Sequence, residues 1–212
     1  MVIAVMGVES ASQRTLDRLD KKMKVESISV ALEILSKTRI IPRLSFMVGI
    51  PGETEDDIKQ TYQFAVKLKE KYPLCQPLVT PFRLFPGSKF YDLAVSRYGY
   101  KSPESLIEWV ENADKEYSEF VGYQNPKEYV WVTNAKKFES RHKIFIMFKT
   151  ASWSLFPQLI KKGIRPKVMH FLKLLIYKVA ALRIKNEFYK LNIEYLLLEL
   201  LRKSRNKIQN IK

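Results

Sequence analysis

Three short apolar runs, each followed by a polar turn and then a segment of helical spacing, restrict this chain more than any other feature. They are VIAVMG at 2–7, RLSFMVG at 43–49 and PLVTPF at 77–82. Helical patterning marks Gln13–Asp20, about Val25–Lys37, Thr54 to about Lys71, and Lys89–Tyr98. Val25, Ile28, Leu32 and Leu35 share one side of the second segment, as do Ile58, Tyr62, Ala65, Val66 and Leu68 in the third. Thr54 and Asp57 make a capping-box pattern at the start of that third helix. Strands alternating with helices predict a parallel sheet, because strands running the same way need a long return between them. The expected fold class is α/β: a partial (β/α) barrel with parallel strands, followed by a mainly α-helical C-terminal extension. A complete eight-unit barrel takes about 250 residues, so three units make only part of one. Pro42 is expected to end the link into the second strand.

Charge divides the chain differently. Residues 136–212 hold 19 Lys and Arg against 4 Asp and Glu, which is the whole net charge of +15, while residues 1–135 are neutral. A charge break that coincides with a change of pattern marks a boundary. The expected division is 1–100 as the barrel part, 101–135 as connecting helices with a short β-like stretch at Tyr129–Thr133, and 136–212 as a basic helical extension. Helices are expected there over about Ala135–Lys162, Lys167–Lys185 and Leu191–Lys207, with Gly163 and Pro166 separating the first two. The lone cysteine, Cys75, can form no internal disulfide, and with His142 and His170 it makes no metal-ligand spacing. It reads as a structural thiol. MVIAVMGVES reads as a buried strand rather than a signal peptide, and no run reaches the roughly 20 apolar residues of a membrane span. A cytoplasmic protein is expected.

In parallel α/β folds, the loops after the strands' C-terminal ends carry the sites. Here these are GVESASQ at 7–13, GIPGET at 49–54 and FPGS at 85–88. Glycine lets backbone approach a ligand closely, and a carboxylate can accept two hydrogen bonds from a ribose diol. Ordinary turn chemistry also explains each loop taken singly, and Asp56 and Asp57 read as helix-dipole residues.

Taken together, MGVESASQRTLDRLDK, LSFMVGIPGETEDDI and PFRLFPGSKFYDL resemble the second half of the radical S-adenosylmethionine (radical SAM) barrel. The resemblance covers roughly residues 2–95 and is nearest to members that carry a cobalamin-binding domain before the barrel. It implies that Glu9, at the end of the fourth barrel strand, binds the ribose hydroxyls of S-adenosylmethionine, with Ser10 beside it. It implies that Lys21 meets the ligand's carboxylate. A cation there suits a partly dry carboxylate, although Lys21 beside Lys22 and Lys24 also fits a solvated face. Val48, Gly49, Ile50 and Pro51 match the fifth-strand segment that packs on adenine, with Glu53 supporting the loop. Ser45 stands where some relatives have an acidic residue. Pro86 and Gly87 match the turn after the sixth strand.

The resemblance also implies a [4Fe–4S] cluster on a CxxxCxxC loop, which this sequence lacks, and cobalamin in a preceding domain. No catalytic residue and no metal ligand is therefore expected in this chain. The expected partner is an N-terminal half or a separate cluster-bearing chain, with an unknown substrate. Two other readings stand beside this one: a non-catalytic half-barrel that docks on a partner or membrane, and a different α/β enzyme, for which no acid–base pair is apparent. The basic segment 167–185 is read as a packing helix, with peripheral contact to an anionic membrane as an alternative. Nucleic-acid binding is a third reading, weakened by the lack of RNA-binding motifs.

Overall fold

The structure, a computed structural model, describes residues 2–110, 129–153 and 164–190. The chain divides into two compact units, Met1–Phe138 and Glu139–Lys212.

In the first unit β1 (Val2–Glu9), β2 (Ile40–Val48) and β3 (Gln76–Pro81) form a parallel sheet in the order β1-β2-β3. The helices α1 (Gln13–Arg18) and α2 (Val25–Ser36) link the first two strands. The helix α3 (Glu55–Lys71) links the next two, and α4 (Lys89–Tyr98) follows β3. Right-handed crossovers between successive neighbours put their helices on one face of the sheet. Burial agrees: Leu44, Phe46, Val48 and Val79 are at most 2% exposed, as are Leu16, Ile58, Tyr62 and Val66 on the helices. The helix ends follow the local sequence. Ser12, Thr54 and Ser88 cap the starts of α1, α3 and α4 with their hydroxyls, and Gly99 closes α4 in the left-handed conformation.

The opposite face is different. Register aligns Val5 with Arg43, and Gly7 with Ser45 and Leu78. All five residues are exposed or half-buried. On β1, Val2 and Val5 are 64% and 69% exposed, although parallel strands are normally apolar because both their faces are covered. The outer flank of β1 has no strand neighbour among the described residues.

Three expectations need correction. β1, expected to be a buried strand, leaves Val2, Ile3 and Val5 exposed, because no described strand pairs with its outer flank. Pro42 lies inside β2 instead of ending the link before it. The pairing with β3 begins only at Arg43, so Pro42 has a strand on one side alone, where a missing N–H is tolerated. The stretch Tyr129–Thr133 runs as turns, with the Val132 N–H donating to the Tyr129 carbonyl.

The second unit holds α5 (Ala135–Trp153), which starts before the unit boundary, and α6 (Ile164–Lys185). In α5, Ile144, Phe145, Met147 and Phe148 are buried on several sides, the pattern of an enclosed helix. Phe148 stacks on Tyr177 of α6 at 5.2 Å. Buried Arg141 pairs with Glu187 at 3.0 Å and lies over the Tyr189 ring. His142 is enclosed too, and burial pushes its pKa down to about 3, so it stays neutral near pH 7. Pro166 sits in the first turn of α6, where its missing N–H costs no helical bond. The helix expected at Leu191–Lys207, and the 154–162 part of the one before α6, lie outside the described residues. Among the described residues no helix is long and apolar enough to cross a membrane.

Candidate functional site

The three strands are parallel and adjacent, so the turns that follow them share one rim. The end of β1 is the most unusual part of it. Glu9 has φ +69°, a left-handed conformation rare outside glycine, and the pairing register slips between Gly7 and Glu9. Its carboxylate accepts a hydrogen bond from the Lys21 ammonium at 2.9 Å, and both side chains are partly exposed. Gly7 leaves the room into which the carboxylate folds back. A Cβ at position 7 would lie 2.7 Å from Glu9 Oε1 and 3.5 Å from Lys21 Nζ. Gly7, Glu9 and Lys21 thus form one packed group beside Ser45, the register partner of Gly7.

Ser10 is fully buried. Its hydroxyl bonds Thr61 Oγ1 at 3.2 Å and accepts from the Ser12 N–H. It ties the turn to α3. Asp57 does more than serve the helix dipole: it closes the capping box with Thr54, accepts the Ser12 hydroxyl at 2.6 Å, and pairs with Arg14. Arg18 reaches the Pro51 carbonyl at 2.7 Å, and Lys89 donates to the Arg18 carbonyl. Helix α1 thereby fastens all three turns together.

Val48, Gly49, Ile50 and Pro51 are buried. Their cover is aromatic. The Trp131 indole N–H donates to the Gly49 carbonyl at 2.6 Å, and the Tyr129 hydroxyl donates to the Phe82 carbonyl at 3.0 Å. Tyr129 also packs on Trp131 and Phe138, with ring centroids 5.3 Å apart in each case. The segment at 129–138 therefore caps the ends of β2 and β3. Sequence reading missed this role; the only available signal was the density of aromatic residues in YVWVT. Pro86 and Gly87 lie exposed on the turn into α4, and a Cβ at Gly87 would meet nothing within 4 Å.

Glu53 braces the second turn. Its Oε2 accepts from the Gly49 and Ile50 N–H groups at 2.7 and 3.0 Å, while Oε1 is buried without a hydrogen-bond partner. Burial pushes this carboxyl up to about 7, against the two backbone donors. A raised carboxyl pKa means that the folded state holds its proton longer than the unfolded state. The contribution of Glu53 to stability is then greatest below about pH 4.5 and declines as pH rises to about 7. Asp57 titrates lower, so it does not mask this window. Glu53→Gln should flatten the slope, making the variant roughly 2 kcal/mol less pH-dependent between pH 4.5 and 7 in urea melts. An unchanged slope would contradict the assignment.

Among the described residues no group of three His, Cys, Asp or Glu side chains could hold a metal ion. Cys75 is buried just before β3, at the end of the sheet away from the rim, and burial pushes its thiol up to about 12. A cavity of about 260 Å³ lies at that same far end, lined largely by apolar groups including Leu32, Ile40, Tyr72 and Leu74.

No family model matches the chain. It is similar to an uncharacterized methyltransferase of Pyrococcus horikoshii, 30% identical over 90 residues that make 42% of this chain and 19% of that protein. It is similar to the anaerobic magnesium-protoporphyrin IX monomethyl ester cyclase of Rubrivivax gelatinosus, 32% identical over 60 residues, or 28% of this chain and 11% of that protein. An uncharacterized protein of Methanocaldococcus jannaschii is 28% identical over 118 residues, covering 55% of this chain and 26% of its own length. The chain spans about a quarter or less of each of these relatives.

Proposed function

We propose that this chain is part of a radical SAM enzyme and holds S-adenosylmethionine at the rim of a (β/α) barrel segment. The observation that carries the reading is the Gly7–Glu9–Lys21 group at the end of β1, on the sheet face opposite the described crossover helices. A methyltransferase and a cyclase among the similar proteins support a SAM-related role.

The residues fit such a ligand. Glu9 offers carboxylate oxygens to two ribose hydroxyls. Lys21, already oriented by Glu9, offers its ammonium to the ligand's carboxylate. Ser45 lies on the neighbouring strand, with Arg43 and Gln76 joined beneath it at 3.0 and 3.1 Å. The Val48–Pro51 segment supplies a rigid backbone and apolar wall for adenine, braced by Glu53. Ser10 holds the first turn in place, and Pro86 and Gly87 form the exposed third side. S-adenosylmethionine supplies an activated sulfonium when bound; these residues orient it.

A [4Fe–4S] cluster does not fit this chain. It needs several thiolates, and the one cysteine is enclosed at the wrong end of the sheet with its proton held tightly. Nothing in these residues builds a cobalamin site. The cluster ligands belong to another polypeptide segment in this reading. The outer flank of β1, unpaired among the described residues, with exposed Val2 and Val5, and exposed Val30 and Ile34 of α2, offers apolar surface for it. The assembled protein is cytoplasmic in the same reading.

Equilibrium dialysis of the full chain with labelled S-adenosylmethionine tests the site. Glu9→Gln and Lys21→Met should each weaken binding at least tenfold, about 1.4 kcal/mol, with thermal melts unchanged. Binding that both variants leave intact, or no binding by a cooperatively folded parent, would remove this function.

A further inference from the structure

The second unit carries an apolar surface that the ligand site does not use. Helix α6 buries Tyr177, Ala180, Ala181 and Ile184, and leaves Phe171, Leu175 and Leu182 at 64%, 50% and 62% exposure. At 100° per residue those three fall within about 40° of one another, a stripe running about 16 Å along the helix. Leu172 and Leu174 widen it, at 44% and 37% exposure, and Phe188 lies half exposed just beyond the helix. Lys178 and Lys185 are exposed along one edge of the stripe, Lys178 standing between Leu175 and Leu182 and about 20° from the line of Phe171. Single exposed leucines are ordinary, but several exposed apolar groups on one side of a helix mark a contact surface.

Charge selects the occupant. Residues 136–212 carry 19 Lys and Arg against 4 Asp and Glu, so the partner is anionic. Nucleic acid is a poor match, because leucine gives bases no face to stack on and Phe171 is the sole ring within the stripe. An anionic bilayer takes both features at once. The leucines enter the boundary between headgroups and acyl chains, and the lysines extend to lipid phosphates. We propose that α6 lies flat on an anionic lipid surface, with Phe171, Leu175 and Leu182 inserted and Lys178 and Lys185 at headgroup level.

Vesicle flotation of the full chain tests this, since aggregates sink while bound protein rises. The chain should float with vesicles of phosphatidylglycerol and phosphatidylcholine in equal parts, and at least tenfold less with phosphatidylcholine alone. Leu175→Asn with Leu182→Asn should cut flotation at least tenfold without loss of helix by circular dichroism, because both side chains are exposed. Leu175→Cys carrying an environment-sensitive dye should shift to the blue on binding; the native Cys75 is buried and will not compete for label. The proposal is overturned if the chain does not float with anionic vesicles. It is equally overturned if flotation survives the double Leu→Asn change, which would make the attraction a general one of the basic residues.

Discussion

Replacing Gly49 with valine is expected to unfold the first unit near physiological temperature. Gly49 has φ +76°, and a Cβ there would lie 2.9 Å from the Phe138 ring and 3.4 Å from Tyr129. The left-handed backbone costs an L-residue about 1–2 kcal/mol, and a β-branched one more. Overpacking against fully buried Phe138 adds about 1–3 kcal/mol. A loss of about 4 kcal/mol takes most of the stability of a domain at the low end of the usual range of about 5–15 kcal/mol. Gly49→Ala should lose about 2–3 kcal/mol, and Phe138→Leu in that background should restore part of it by making room. Urea melts measure all three. A Gly49→Val chain that melts like the parent would show that the aromatic cover does not press on this turn.

Asp57→Ala is expected to cost about 3 kcal/mol, more than a helix cap alone, whose loss costs about 0.5–2 kcal/mol. The change also strands the Ser12 hydroxyl and frees Arg14 from its partner, so α1 loses its hold on α3. The effect depends on pH in a definite direction. Burial works to raise the Asp57 pKa, but Arg14, Ser12 and Thr54 outweigh it and hold the carboxyl well below the usual carboxylate range. A depressed pKa contributes stability above the unfolded value near 4, and that contribution is lost as pH falls further. The parent should therefore weaken below about pH 4 more steeply than Asp57→Ala. Parallel pH profiles for the two proteins would refute the assignment.

The elements were legible because their periods are plain. Short apolar runs placed all three strands to within three residues, and helical spacing placed α2 and α3 within a residue or two. The relationships between elements were not legible. Asp57 reads locally as a dipole residue because its link to Ser12 spans 45 positions. YVWVT imitates a strand because Tyr129 and Trp131 are buried and Val130 is exposed, yet its hydrogen bonds go to carbonyls of distant turns. The left-handed Glu9 gave no sign, since nothing in a glutamate announces positive φ. Gly7 leaves the space that the Glu9 carboxylate takes up, a relation visible only in three dimensions. Ser10 shows the limit of reading by adjacency: one position from Glu9, its hydroxyl serves the helices instead.

The bond between Trp131 and Gly49 also fixes a timetable. Its two ends are 82 residues apart. At roughly 5–20 residues per second, a ribosome needs about 4–16 seconds to travel between them. Strand pairing can begin once Pro81 has emerged, but through that interval the Gly49 carbonyl faces water and the top of the sheet stays unsealed. A nascent chain stalled before residue 129 would have its strands and no closure over them, and that is the stage of synthesis at which a chaperone would find the most to hold.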